Sequence, residues 1–195
     1  KLLTSIGWIQ NHATMTEPVA WRDDGATAAA CVREIAKARE DQQRRAARAA
    51  RKAEWILSQC ELKPHPYLER KGFKDFPGLV WGELLVVPMR HDGKVCGVQL
   101  IAADGTKRFL SGQRCNGATY TLGSGDPVLC EGFATALSVH ACLTALKARR
   151  SVVACFSAHN LGVVAATLPG AVLVADNDES GTGARAAHDT GRPWW

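Results

Sequence analysis

The chain has 195 residues, of which 46% are hydrophobic, enough apolar material for one good-sized domain or a domain with an appendage. No apolar run approaches the roughly 20 residues that a bilayer-spanning helix needs, so no membrane role is expected. The seven Cys include no C-x-x-C pair, which argues against a zinc ribbon or finger.

The net charge of +5 is concentrated rather than spread. Between Arg33 and Lys52 there are eight Lys/Arg and three Asp/Glu, and the remaining charges balance at sixteen of each sign. Such a segment is either a nucleic-acid footprint, with Arg44, Arg45 and Arg48 at its centre, or a solvated helix face. Cys130, Cys142 and Cys155 sit in apolar stretches and read as reduced, buried thiols of a cytoplasmic protein. The opening Lys1-Leu2-Leu3 resembles a signal segment only weakly, and no cleavage site follows. The chain does not begin with Met and ends on Trp194-Trp195, so it is read as a piece of a longer protein.

Residues 1–25 carry no clear pattern. From Ala26 to about Cys60 the sequence is rich in Ala, Arg, Glu and Gln without Gly or Pro, which predicts one long helix or two with a break. Pro64 and Pro66 stop it. A short helix ending at Gly72 follows, and His65, between two prolines, reads as a turn residue rather than a base or ligand. Residues 84–122 predict a β-meander, with hairpin turns at Asp92-Gly93 and Asp104-Gly105. Lys107 and Arg108 fall on its third strand, as phosphate contacts or as ordinary surface charge.

The last third alternates short apolar runs with helical patterns: strands at 127–131, 151–156 and 171–175, helices at 133–148, 159–167 and 181–189. A βαβαβα run predicts a parallel sheet with right-handed crossovers, and so an α/β fold. Glu131, Asp176 and Asp178 fall at the carboxyl ends of these strands, where such sheets bind ligands. Three carboxylates on one edge repel one another unless a cation sits between them, and hard oxygen donors suit Mg²⁺ or Mn²⁺. The competing structural role is helix capping: Asp178 or Ser180 ahead of the helix near Gly181, and Glu131 at the positive end of the helix from 133.

The strand ending in Glu131-Gly132-Phe133-Ala134-Thr135-Ala136, followed downstream by the strand ending in Asp176-x-Asp178, resembles the Toprim domain in its phage and plasmid primase form. Upstream, Val87-Pro88-Met89-Arg90, Asp92-Gly93, Gly97-Val98-Gln99, Asp104 to Leu110 and Tyr120-Thr121-Leu122-Gly123 are similar to the small subdomain that precedes Toprim in primases. His65-Pro66-Tyr67-Leu68 through Lys71-Gly72 resembles the start of that region. The resemblance covers roughly 55–195. It implies a basic N-terminal segment (1–60), a small mixed α+β primase-core subdomain (61–125) and a Toprim domain (126–195) truncated at its C-terminus. The family's zinc module and its last acidic strand are not in this sequence, so the piece is expected to be impaired alone.

The resemblance implies RNA primer synthesis on single-stranded DNA from nucleoside triphosphates. Asp176 and Asp178 would hold the metal, with Glu131 as a further ligand or proton acceptor. Lys107 and Arg108 would guide template or triphosphate, and a replicative helicase would be a partner. Alternatives are a metal-dependent Toprim nuclease, or a non-catalytic module binding nucleic acid or a partner. Topoisomerase chemistry needs an attacking Tyr, and neither Tyr67 nor Tyr120 stands in an evident catalytic setting.

Overall fold

The computed structural model describes residues 6–9, 19–22, 28–175 and 182–195. They form two compact units, Lys1–Arg45 and Ala46–Trp195. In the first, β1 (Ile6–Ile9) pairs antiparallel with β2 (Val19–Arg22), Trp8 opposite Ala20. This hairpin was not legible, because the intervening sequence holds no two-residue turn pair. Helix α1 (Ala28–Ser58) runs unbroken for 31 residues, as its propensity predicts, and crosses from one unit to the next.

In the second unit α1 buries Ala49, Ala53 and Ile56 at helical spacing, the last two against Val86 and Val98 of a five-stranded antiparallel sheet. Its order is β3 (Glu61–Lys63), β4 (Gly78–Trp81), β5 (Leu84–His91), β6 (Lys94–Ile101), β7 (Lys107–Phe109). The β5–β6 turn is the expected Asp92-Gly93, with φ of 50° and 75°. β3 and β4 were missed because each is short and sits beside prolines or glycines. The opposite face carries Leu85, Val87 and Ile101, covered by Tyr67 and Leu68 of α2 (Pro66–Arg70) and by Phe133 and Leu137 of α3 (Phe133–Ala145). Covered on both faces, β5 reads as a continuous apolar run instead of an alternating one.

His65 is the N-cap of α2, the structural role expected. Its Nδ1 accepts the Tyr67 N–H (3.2 Å), so Nε2 carries the proton and donates to the Glu83 carbonyl (3.0 Å). Lys71 is the C-cap. Gly72 (φ 90°) follows it, and the Phe73 N–H returns to the Leu68 carbonyl at 2.9 Å, a Schellman closure.

The second sheet runs β11 (Val172–Val174), β9 (Asp126–Cys130), β10 (Arg150–Ala154), β8 (Tyr120–Gly123). The first three are parallel, and β8 is antiparallel to β10. The expectation that 120–123 closes the meander is therefore corrected: the backbone pairs with β5 only at Thr119, through paired 2.8 Å bonds with Arg90, and the strand itself is hydrogen-bonded to β10 while Tyr120 and Leu122 pack on the β5 core. Gly123 (φ 71°) and Gly125 (φ 117°) give the sharp reversal into β9. Beside β11 the backbone of 193–195 continues the sheet in parallel sense, through Leu173 N to Pro193 O (3.0 Å) and Ala175 N to Trp195 O (2.9 Å).

Helix α3 covers the face bearing Cys130, Val152 and Ala154. Helices α4 (Ala158–Thr167) and α5 (Thr182–Asp189) cover the face bearing Leu129, Val153 and Leu173. The architecture is mixed α/β, as expected. The six cysteines whose state is described are free. Cys130 and Cys155 are buried as expected, but Cys142 is exposed. α3 packs Phe133, Ala136 and Leu137 against the protein, with Val139 and Leu143 partly buried beside them, and Cys142 lies off that side.

Candidate functional site

The register sets Ala154 and Val174 on either side of Cys130, so all three parallel strands end on one edge. The ladder runs one step further, with Cys155 N bonded to Cys130 O (2.9 Å) and Phe156 N to Glu131 O (2.7 Å). From β9 the chain steps to β10 by way of α3, and from β10 it steps back past β9 to β11 by way of α4. With crossovers of one hand, opposite steps put the connecting helices on opposite faces. That is where α3 and α4 lie. The chains leaving β9 and β10 therefore diverge, which is the switch point at which α/β sheets bind ligands.

Glu131 stands at this switch point, half-buried, beside Gly132, the N-cap of α3. Gly132 has no side chain with which to cap the helix, and the positive end of α3 lies beside Glu131. Phe156, opposite, holds φ at 70°, an outlier for an aromatic residue of the kind that clusters at functional sites. Cys155 beneath is fully buried, and burial pushes its thiol far up, with Cys130 and Glu131 adding to the rise. It is a core thiol and not a nucleophile.

Asp176 and Asp178 lie outside the described residues. The strand that precedes them ends at Val174, level with Cys130, the residue before Glu131. Among the described residues no group of three or more His, Cys, Asp or Glu is placed to hold a metal ion.

Lys107 and Arg108 lie on the exposed edge strand β7. Lys107 pairs with Ile101 and Arg108 with Leu100. Directly paired residues share a face, so Lys107 projects on the α2/α3 side and Arg108 on the α1 side. The two do not form one strip. Arg44, Arg45 and Arg48 are exposed on α1, and Arg44 is ion-paired with Asp41. Tyr67 is buried in the core, and Tyr120 packs edge-on against Phe133 at 5.4 Å.

Three polar residues escaped the sequence reading. Asn160, 3% exposed, accepts from Gly117 N (2.7 Å) and donates to the carbonyls of Ala118 (2.8 Å) and Cys155 (2.7 Å). It ties the loop before β8 to the end of β10. Its signal was the capping pattern Ser157-x-x-Asn160: Ser157 is the N-cap of α4 and accepts the Asn160 N–H. Gln113 accepts from Val98 N (3.1 Å) and Leu110 N (3.2 Å), bridging the two strands just beyond the last β6–β7 pair, Gln99 and Phe109. Gln99 is buried, and its Oε1 has no partner. An orphaned amide of this kind costs about 1–3 kcal/mol.

The fold and edge define a mixed α/β protein with a carboxylate at the switch point of its parallel strands. The chain is similar to the DNA primase TraC of Escherichia coli, 30% identical over 184 residues, which is 83% of this chain and 17% of that protein. The chain thus spans about a sixth of the length of the curated relative it matches. No family model matches it. Among the described residues, no helix is long and apolar enough to cross a membrane.

Proposed function

We propose that the chain is the nucleotidyl-transfer core of a DNA primase, built as a Toprim-type sheet and an antiparallel subdomain, and that it makes short RNA primers on single-stranded DNA. The observation that carries this reading is Glu131 at the switch point, on the strand edge that leads to Asp176 and Asp178, in a chain similar to a primase over most of its length. A carboxylate-only donor set suits Mg²⁺ or Mn²⁺, and Glu131, Asp176 and Asp178 are the residues that would hold it. A bound ion would neutralise charge on the triphosphate and lower the pKa of the attacking hydroxyl.

The residues themselves supply the rest. Glu131 would accept a proton or position a ligand at the strand edge. The positive N-terminal end of α3 would favour an anion near Glu131. Lys107, on the face shared with α3, guides triphosphate or template, whereas Arg108 and the arginines of α1 add sequence-independent phosphate contacts. A replicative helicase is the partner expected of such a core.

The test is calorimetric titration of Mg²⁺ or Mn²⁺ with a nucleoside triphosphate, on the wild-type chain and on Asp176→Asn/Asp178→Asn. Metal-dependent nucleotide binding that disappears in the double variant supports the site. Incorporation of labelled nucleotides on single-stranded DNA then separates primer synthesis from nucleolytic shortening.

A further inference from the structure

We propose that Gln99 is a nucleotide-reading residue, its side-chain amide hydrogen-bonding the base edge or ribose of a nucleoside triphosphate bound against the face of β6. The inference rests on the primase reading and deepens it. Gln99 is 3% exposed, and among the described residues its Oε1 is the one buried side-chain nitrogen or oxygen without a hydrogen-bond partner. Comparable groups among the described residues are satisfied: both ring nitrogens of His65 are engaged, and Asn160 makes three side-chain bonds. Turning the Gln99 amide end for end only exchanges the orphaned oxygen for an orphaned nitrogen. Such a group on an interior strand calls for a partner that the described residues do not supply.

The register says where that ligand sits. Gln99 is paired with Val87 on one side and Phe109 on the other, so all three share a face. That face packs against Phe133, with Phe156 and Tyr120 beside it. Phe133 follows Glu131 by two residues, and the Phe156 N–H is bonded to the Glu131 carbonyl at 2.7 Å. The residues flanking the switch-point carboxylate are therefore those that meet the Gln99 face. Lys107 projects from the same side. Triphosphate at the carboxylate edge and near the lysine would bring the nucleoside toward Gln99 and the aromatic side chains of Phe109, Phe133 and Phe156. A primary amide offers one acceptor and two donors, matching a base edge or a ribose hydroxyl.

The experiment is Mg²⁺-dependent binding of ATP, GTP, CTP, UTP and dATP to the wild-type chain, Gln99→Leu and Glu131→Gln, each with its melting temperature. Gln99→Leu is expected to weaken ATP binding about tenfold or more. It should melt at or above the wild-type temperature, since an apolar side chain removes an orphaned dipole. Equal loss for ATP and dATP identifies the base edge as the partner, and loss confined to ribonucleotides identifies the 2′-hydroxyl. Wild-type affinity in Gln99→Leu, with binding lost in Glu131→Gln, overturns the role of Gln99 and leaves the primase reading standing. A lowered melting temperature with unchanged affinity also overturns it, by making Gln99 a water-bridged structural group. Absence of nucleotide binding by the wild-type chain overturns both.

Discussion

Asn160 carries more of the structure than any other single polar side chain described. Replacing it with Leu strands the Gly117 N–H and the carbonyls of Ala118 and Cys155, each a buried group worth about 1–3 kcal/mol. Asn160→Leu is expected to cost about 3 kcal/mol, read from urea unfolding. The titrating groups give a second expectation. Burial raises Cys155 and Tyr120 above their unfolded values, which leaves the folded state holding more protons at alkaline pH. Their contribution is complete below the ordinary Cys range, about 8.5, and is lost as pH rises through their folded values. Stability should therefore fall above about pH 9, and Cys155→Ala should flatten the start of that decline in thermal melts. Thiol reagents should label the exposed Cys115 and Cys142 quickly, and Cys130 and Cys155 only on unfolding.

At the scale of elements, β6 depends on an absent side chain. A Cβ on Gly97 would stand 2.4 Å from Gln113 Oε1 and evict the amide that serves Val98 and Leu110. Gly97→Ala is expected to destabilise by about 2 kcal/mol in the same unfolding assay. The edge strand β7 gives a contrast: because its two basic residues face opposite ways, Lys107→Ala should impair nucleotide incorporation more than Arg108→Ala does.

The elements most legible in the sequence were those with strong periodicity or a turn pair: α1, the β5–β6 hairpin and the βαβ run. β3, β4 and the membership of β8 were not, since short strands carry little pattern and pairing partners are set by tertiary contacts. Glu131 was legible because its strand-end position follows from local pattern. Asn160, Gln113 and Gln99 were not. A polar residue in an apolar stretch becomes informative only when its partners, or their lack, are known.

At the scale of the whole second unit, the two sheets are not independent. Phe133 and Leu137 of α3 lie in the core of the antiparallel sheet, and Thr119 bonds to Arg90 just before the chain enters β8. Perturbations in either sheet, such as Val98→Ala and Leu173→Ala, should shift one common transition monitored by both tryptophan fluorescence and circular dichroism.

The placement of β8 has a consequence for how the protein is made. Residues 120–123 leave the ribosome before β10, the strand they border, has been synthesised. The five antiparallel strands can assemble as they emerge, since each pairs with its sequence neighbour. β8 must then wait, its edge unpaired, until Ala154 is outside the exit tunnel. Nascent chains stalled just short of that point would hold a finished antiparallel sheet and two uncovered strands, β8 and β9, and would be the forms that chaperones find.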